Sequence, residues 1–366
     1  MASQLVGDLG IAGRLLKKKG SPVNLIFFVT ANCNLLCNHC FYWEQLNKKK
    51  NELSLDEIAR IARSLPNLLS VSLTGGEPFL RKDLPQIAAL FEKHSSVRNI
   101  QIPSNGFLVE RTVLRAEETV QRVRKARVCT GVSLDGPEEI HNSVRQNAGS
   151  FERAILTFRE LKKLKRVYPN LSVGIALTVS AANQHVLDDF FRVITEELMP
   201  DAITVTLARG NPLDPSLKNV DLRIYREFSE KVIRFRRKKQ LTHGWLDHLV
   251  VAKEEETYRL INQAAQAEER ISPCYAGDLI GILSETGEVY LCETLDKSMG
   301  NVRDFSCDLG ELWRSSRAQD ARDYQVDLGC QCTYECAMSV NALFNPSRAI
   351  RIAVNAARSK WLPPRH

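Results

Sequence analysis

Residues 23–40 read VNLIFFVTANCNLLCNHC, a short apolar run followed at once by three cysteines. The run at 23–30 is rich in β-branched and aromatic residues, which is typical of a buried strand. Cys33, Cys37 and Cys40 then lie in one loop with the spacing C-x-x-x-C-x-x-C. Three thiolates on one loop can bind a [4Fe–4S] cluster and leave one iron open for an outside ligand. The stretch therefore predicts a strand whose carboxyl end carries a metal site.

Zinc is the alternative metal for these thiols. A tetrahedral structural zinc needs a fourth ligand, for which His39 is the neighbouring candidate. His39 lies between two of the cysteines, where its ring is poorly placed to reach the same ion. The spacing alone favours iron–sulfur over zinc and leaves both open.

Five more strand-like runs follow, and amphipathic stretches separate them. The runs are LLSVSLT (68–74), RNIQIPS (98–104), RVCTGVSL (127–134), LSVGIALTV (171–179) and AITVTLA (202–208). Among the helical stretches, SLDEIARIARSL opens with Ser54 and has Glu57 three residues later, which predicts a capping box. Strands that alternate with helices imply right-handed parallel crossovers, so we expect an α/β fold, a wound sheet or a barrel. Ligands bind at the carboxyl ends of the strands in such folds.

Polar and glycine-rich segments follow three of these strands. They are Thr74-Gly75-Gly76-Glu77-Pro78, Pro103-Ser104-Asn105-Gly106 and Ser133-Leu134-Asp135-Gly136. Gly75 and Gly76 would let a ligand approach the backbone, and Glu77 would offer a carboxylate to an ammonium group. We expect these segments to line one mouth with the three cysteines.

The cysteine triad and the GGEP motif (75–78) resemble those of radical S-adenosylmethionine (radical SAM) enzymes over residues 23 to about 210. The resemblance implies a partial (β/α)6 barrel, in which the three cysteines bind a [4Fe–4S] cluster and Gly75, Gly76 and Glu77 bind S-adenosylmethionine. It also implies reductive cleavage of S-adenosylmethionine to a 5′-deoxyadenosyl radical that abstracts hydrogen from a substrate. A reducing partner such as flavodoxin or ferredoxin would supply the electron.

Three further residues resemble positions that contact S-adenosylmethionine. Asn105 would approach the ribose, and Ser133 and Arg145 would approach the carboxylate, which suits a guanidinium. The alternatives are turn capping for Asn105 and Ser133, and a solvated charge at a helix start for Arg145. His141 and His185 are expected to be satisfied surface or loop histidines.

A second group of cysteines lies near the C-terminus, in a chain without an export signal, so disulfides are not expected. Residues 277–292 predict a hairpin around Gly287 that returns Cys292 toward Cys274. The region resembles the auxiliary-cluster module called SPASM, or its shortened form, twitch. One auxiliary [4Fe–4S] cluster is implied, bound by four of Cys274, Cys292, Cys330, Cys332 and Cys336. Structural zinc is the alternative, and Cys129 and Cys307 are expected to be free or buried.

These patterns predict three segments. They are a basic amphipathic extension at 1–22, the core barrel at 23–245 and the auxiliary-cluster domain at 246–366. No apolar run approaches 18 residues, and the N-terminal lysines follow the apolar stretch rather than precede it, so we expect a cytoplasmic protein. The net charge of +7 over 366 residues is too mild for a dedicated nucleic-acid binder. The basic, amphipathic termini leave a peripheral membrane contact as a minority expectation.

The substrate is the least determined feature. We expect oxidation or epimerisation of a small molecule, sugar-like or lipid-linked; the alternatives are a ribosomal peptide or a non-catalytic iron–sulfur sensor. Only about twenty residues precede the first strand, which lowers the expectation of a leader-binding domain. Arg209 could hold an anionic substrate group, or be a loop charge in solvent. Glu293 could act near the substrate.

Overall fold

The computed structural model of the protein describes residues 20–240, 245–330 and 332–361. Its strands are β1 (Asn24–Thr30), β2 (Ser70–Gly75), β3 (Asn99–Ser104), β4 (Arg127–Ser133), β5 (Leu171–Val179), β6 (Ile203–Leu207), β7 (Ile280–Leu283), β8 (Glu288–Tyr290) and β9 (Ser298–Asn301). Its helices are α1 (Leu55–Ser64), α2 (Leu84–His94), α3 (Val109–Arg122), α4 (Glu138–Arg145), α5 (Ser150–Val167), α6 (Leu187–Arg192), α7 (Leu222–Gln240), α8 (Trp245–Gln266), α9 (Leu309–Trp313), α10 (Ser316–Asp327), α11 (Glu335–Phe344) and α12 (Pro346–Trp361).

The strands form one sheet in the order β6-β5-β4-β3-β2-β1-β7-β8-β9. Strands β1 to β6 pair in parallel and follow the chain order across the sheet, as the alternation of strands and helices predicts. All residues of β1 after Asn24 are buried, because the strand is covered on both faces. The predicted α/β fold with six parallel strands is confirmed.

The C-terminal region extends this same sheet. Strand β7 pairs in parallel with β1, and β8 and β9 continue the sheet in antiparallel pairing. The predicted hairpin is present, and its Gly287 has φ of 92°, which favours glycine. β1 therefore has β2 on one side and β7 on the other, so this strand joins the parallel strands to the C-terminal strands.

Helix α1 begins at the predicted capping box. The Ser54 hydroxyl accepts from the Glu57 amide at 3.3 Å, and the Glu57 carboxylate accepts from the Ser54 amide at 2.8 Å. Glu57 also pairs with Arg303, whose Nε lies 2.6 Å from it. This pair ties the first helix to the segment after β9.

Helix α8 contacts α7, α11 and α12, so it links the edge of the parallel sheet to the C-terminal helices. The sequence interpretation of residues 221–268 as one or two charged helices agrees with α7 and α8. Among the helices that the structure describes, none has the length and apolar character needed to span a bilayer. The predicted N-terminal extension at 1–22 falls almost entirely outside the described ranges.

Candidate active site

The cysteine triad lies in the loop that leaves β1. Cys37 is buried and Cys33 and Cys40 are half-buried. Burial, together with the charges of Glu77, Cys37 and Cys40, raises the pKa of Cys33 to about 12, so the three thiols share one environment. Thiolates held this way need a positive partner, which is what an iron–sulfur cluster provides.

Arg145 is a positive group at this site. It is the last residue of α4 and is buried, so the alternative of a solvated charge at a helix start is wrong. Its Nη2 lies 2.7 Å from Asp135 Oδ2, and its Nη1 lies 3.6 Å from Cys37 Sγ. Burial opposes ionisation of Asp135, but Arg145 brings the pKa of that carboxyl down to about 2. Arg145 is therefore fixed with its charge directed at the Cys37 sulfur.

Close contact with the backbone of the cysteine loop requires glycine at positions 75 and 76. A Cβ on Gly75 would lie 2.2 Å from the Thr30 carbonyl oxygen, and one on Gly76 would lie 2.2 Å from that of Asn32. The Gly76 amide donates to Thr30 O at 2.9 Å. The glycines thus let the end of β2 lie against the start of the cysteine loop, which holds that loop in place.

Glu77 differs from the expectation that its carboxylate is offered to a ligand. The side chain is buried, and it accepts from Ser104 Oγ at 3.1 Å and from the Asn105 amide at 2.7 Å. Burial raises its pKa to about 7, although these donors favour the ionised form. Glu77 ties the end of β2 to the end of β3.

Asn105 combines turn capping with contact to the cysteine loop. Its Oδ1 accepts from the Phe107 amide at 3.0 Å, and its Nδ2 donates to Asn34 Oδ1 at 3.0 Å and lies 4.0 Å from Cys33 Sγ. Ser133, at the end of β4, is half-buried and pairs in register with Ala176 of β5.

Two histidines lie beside the Asp135–Arg145 pair. His141 is fully buried rather than on the surface, and its ring nitrogens contact the Asp135 amide and Ser150 Oγ, both at 3.2 Å. Burial lowers the pKa of both His39 and His141 to about 4, so both rings are neutral at physiological pH. The buried His39 Nδ1 has no hydrogen-bond partner among the described residues. An unpartnered ring nitrogen between two cysteines is consistent with a group that binds there.

The C-terminal thiols form a second group. The pKa of Cys332 is raised to about 11 by burial and then by the charges of Cys274, Cys292 and Cys330, so these four lie near one another. As predicted, the hairpin returns Cys292 toward Cys274. Of the two cysteines outside these groups, Cys307 is buried and Cys129 is half-buried.

Hydrogen-bond donors surround this second group. Gln325 Nε2 lies 3.5 Å and Arg270 Nη2 lies 3.9 Å from Cys330 Sγ. The Thr294 hydroxyl lies 3.4 Å from Cys292 Sγ. Donors to cysteine sulfur stabilise thiolates and tune the potential of an iron–sulfur cluster.

Arg209, Glu293 and Glu335, which we call the Arg209 cluster, lie between the two cysteine groups. Arg209 follows β6, Glu293 follows Cys292, and Glu335 begins α11. Arg209 Nη2 lies 2.9 Å from Glu293 Oε2, and Nη1 donates to Glu335. The side chain of Arg209 is only 15% exposed, so it is not a loop charge in solvent.

Aromatic rings fix the position of Arg209. Its guanidinium carbon lies 4.8 Å from the ring centre of Tyr334 and 5.6 Å from that of Phe41, the residue after Cys40. Two carboxylates already pair with this cation, which argues against the expected anionic substrate group. The buried Arg209 Nε and Tyr225 hydroxyl have no hydrogen-bond partner within the described ranges.

Cys336 belongs to this polar region. Burial raises its pKa, and the charges acting on it most strongly are those of Glu335, Glu293 and Arg209. The sequence does not predict Glu335 or Tyr334 as site residues; their only signal is their position between Cys332 and Cys336.

A clamp joins the cysteine-triad loop to the hairpin. The Tyr42 hydroxyl donates to Glu285 Oε2 at 2.6 Å, and Lys50 Nζ lies 2.5 Å from Glu285 Oε1. Glu285 is buried in the turn between β7 and β8. The clamp ties the cysteine-triad loop to the turn between β7 and β8.

Among the residues that the structure describes, no three His, Cys, Asp or Glu side chains are arranged to hold a single metal ion. A [4Fe–4S] cluster instead binds each thiolate at a different iron. The site thus consists of a triad at the carboxyl end of a parallel sheet, with a buried guanidinium, an unpartnered ring nitrogen and a backbone fitted closely to the loop. These residues fit a [4Fe–4S] cluster with one open iron.

Comparisons with known proteins bear on this site. Residues 27–185 match the model of the Radical SAM superfamily. The part of the chain that carries the cysteine triad is therefore similar to this superfamily, whose members use a [4Fe–4S] cluster and S-adenosylmethionine.

Two curated relatives and one solved structure illustrate the range of similar proteins. An Fe-coproporphyrin III synthase of Methanosarcina barkeri is 29% identical over 186 residues, 50% of this chain and 43% of that protein. An AdoMet-dependent heme synthase of Nitratidesulfovibrio vulgaris is 27% identical over 318 residues, 81% of this chain and 80% of that protein. The structure of Streptococcus suis SuiB bound to precursor peptide SuiA matches with a TM-score of 0.59 at 16% identity, covering 91% and 75% of the two chains, which shows a shared fold.

Proposed function

We propose that this enzyme removes a hydrogen atom from a substrate held at the Arg209 cluster and that the product is an oxidised or epimerised molecule. When bound, the first cluster and S-adenosylmethionine would supply the 5′-deoxyadenosyl radical. In oxidation the auxiliary cluster would accept an electron from the substrate radical, and in epimerisation a hydrogen donor would return a hydrogen atom to it. The observation that carries the proposal is the position of Arg209, between Phe41 beside the first cysteine group and Tyr334 beside the second.

The chain's residues have distinct tasks in this proposal. Cys33, Cys37 and Cys40 would ligate the first cluster, and Arg145 would stabilise the thiolate of Cys37. Gly75 and Gly76 would hold the loop, and Asn105 and Ser133 would flank S-adenosylmethionine at the ends of their strands.

The C-terminal thiols would bind the auxiliary cluster, with 246–366 as its domain in the manner of a SPASM or twitch module. Because Cys274, Cys292, Cys330 and Cys332 share one environment, we assign the ligands to these four. Cys336 would remain a thiol on the side of the Arg209 cluster.

For the substrate we favour a small molecule. The relatives with the two synthase names support this preference, since porphyrins are small molecules. The paired state of Arg209 supports a neutral polar group at the point of contact. A peptide is the second candidate, because SuiB, which shares the fold, was solved with a precursor peptide.

Anaerobic reconstitution tests the cofactor part. Wild-type protein should hold about eight irons, as two [4Fe–4S] clusters, and form 5′-deoxyadenosine from S-adenosylmethionine with dithionite. Replacing Cys33, Cys37 and Cys40 with Ala should remove one cluster and all cleavage. As matched controls, Cys129→Ala and Cys307→Ala should change neither. Zinc in place of iron in the wild-type protein would reject the proposal.

The auxiliary ligands are tested separately. Cys332→Ala should lose about four irons yet keep some cleavage, since the first site is untouched. Cys336→Ala should keep all the iron. Iron loss in Cys336→Ala with full retention in Cys332→Ala would reverse the ligand assignment without affecting the rest of the proposal.

Substrate classes can be compared with deuterated candidates. Deuterium in 5′-deoxyadenosine after incubation with labelled Fe-coproporphyrin III or another labelled small molecule would support the first candidate. Transfer from a labelled peptide alone would favour the second. Turnover of either substrate without transfer of its deuterium would refute direct abstraction.

A further inference from the structure

Helix α12 (Pro346–Trp361) has two unlike faces. Ile352 and Ala356 are buried, and the helix contacts α8 and α11. Ile350, Val354 and Trp361 are 66%, 41% and 75% exposed. At 3.6 residues per turn these three side chains fall within about 40° of one another, on the side away from Ile352. We call them the apolar stripe.

Cations flank the apolar stripe on both sides. By the same helical geometry Arg351 and Arg358 lie along one edge and Lys360 along the other. Arg358 is exposed and makes no ion pair among the described residues, whereas Arg351 Nη1 lies 3.3 Å from the buried Glu256. Residues 346–361 contain no acidic side chain.

The nature of the partner follows from this combination of groups. A soluble polyanion would pair with the cations but leave Ile350 and Trp361 in water. A second copy of the chain would place two acid-free, cationic helices against each other, and these would repel. An anionic bilayer surface satisfies both groups, because its headgroups attract cations while its interface accepts aliphatic and indole side chains.

We propose that α12 is a membrane-surface helix that docks this protein on bilayers containing anionic lipid. The apolar stripe would enter the boundary between headgroups and acyl chains, and Arg351, Arg358 and Lys360 would lie at the phosphate level. The helix would lie parallel to the surface, since its opposite face is buried against α8 and α11. This proposal goes beyond the radical chemistry and does not depend on it.

Co-sedimentation of the reconstituted full chain with vesicles tests the proposal. Protein should bind vesicles of phosphatidylcholine with phosphatidylglycerol, bind pure phosphatidylcholine far less, and be released by high salt. Trp361→Ser and Val354→Ser should weaken binding, the former by about tenfold. Arg358→Glu should also weaken it by about tenfold, since each basic residue near the surface contributes several-fold.

Matched substitutions elsewhere serve as controls. Val167→Ser makes the same change as Val354→Ser at a side chain that is 68% exposed at the end of α5. Arg111→Glu makes the same change as Arg358→Glu at an exposed site on α3. Both controls should bind like the wild-type protein.

Quenching of tryptophan emission gives a second measurement. Phosphatidylcholine with brominated acyl chains, mixed with phosphatidylglycerol, should quench the wild-type protein on binding more than Trp361→Ser, which keeps Trp43, Trp245 and Trp313. Absence of both binding and quenching would overturn the proposal, as would equal binding by Trp361→Ser and wild-type protein. A dimer in sedimentation velocity that Trp361→Ser dissociates would also overturn it, in favour of a second copy on the stripe.

Discussion

Arg209→Met tests the central contact of the candidate site. The substitution keeps an unbranched side chain of similar reach but removes the cation shared by Glu293 and Glu335, which are 7% and 17% exposed. Removing one partner of a buried ion pair costs about 3–5 kcal/mol, because the remaining charge is left uncompensated. Burial already raises the pKa of Glu335, so protonation of this carboxylate should limit the loss to one unpaired charge. We therefore expect a loss of about 3–5 kcal/mol, a large part of the stability of a typical domain.

The assay is denaturant unfolding of the reconstituted protein, followed by circular dichroism and cluster absorbance. The triple variant Arg209→Met/Glu293→Gln/Glu335→Gln should recover most of the loss, since replacing a whole buried ion-pair set with neutral groups is often close to neutral. Arg223→Met is the surface control: its pair with Asp221 involves an arginine that is 79% exposed, so we expect no measurable change in stability. If Arg209→Met and the triple variant each unfold within about 0.5 kcal/mol of wild type, the three charges are not coupled and the argument is refuted.

Three further predictions concern the residues that hold the site. Glu57→Gln should destabilise the protein by about 1–2 kcal/mol at neutral pH, because the hydrogen bond from Arg303 lowers the pKa of Glu57 from 4.5 to about 2. This contribution is complete above pH 4.5 and is lost as the pH falls toward 2, so the difference between wild type and variant in urea unfolding should vanish in acid. Gly76→Ala should displace the cysteine loop, since its Cβ would lie 2.2 Å from a carbonyl oxygen, and iron analysis should show loss of the first cluster. Gly149→Ala should keep the cluster, because its Cβ would meet Asn147 Oδ1 at an ordinary contact distance of 3.9 Å. Arg145→Met should speed iron loss to a chelator several-fold, because it removes the cation beside a cluster thiolate; unchanged iron release would contradict that role.

The parallel sheet could be predicted from the sequence because its signals are local. Each of the six apolar runs is bounded by polar or glycine-rich residues, and the predicted strands match the observed ones to within two residues at each end. The cysteine loop and the Gly75-Gly76 pair were predictable for the same reason. The sequence does not show why these glycines are needed, because the atom that Gly76 approaches, the carbonyl oxygen of Asn32, lies in another segment.

Pairings between distant segments could not be predicted. The two carboxylates around Arg209 lie 84 and 126 residues further along the chain, and no periodicity connects such positions. The alternative of a solvated charge stood for Arg145 because it lies in a polar helix, and only the fold places it against Asp135. The pairing of β7 with β1 is also non-local, and it joins the hairpin that leads to Cys292 to the strand that leads to the triad.

That strand pairing has a consequence for catalysis. The triad loop leaves β1, and the hairpin that leads to Cys292 begins with β7, which is hydrogen-bonded to β1. The Glu285 clamp adds a second connection, through Tyr42 and Lys50. Because strand pairing and the clamp both join the two regions, we expect the distance between the cysteine groups to change little when a substrate binds. If the substrate binds at the Arg209 cluster as proposed, selectivity should then depend on the side chains around Arg209 rather than on closure of one part of the protein over the other.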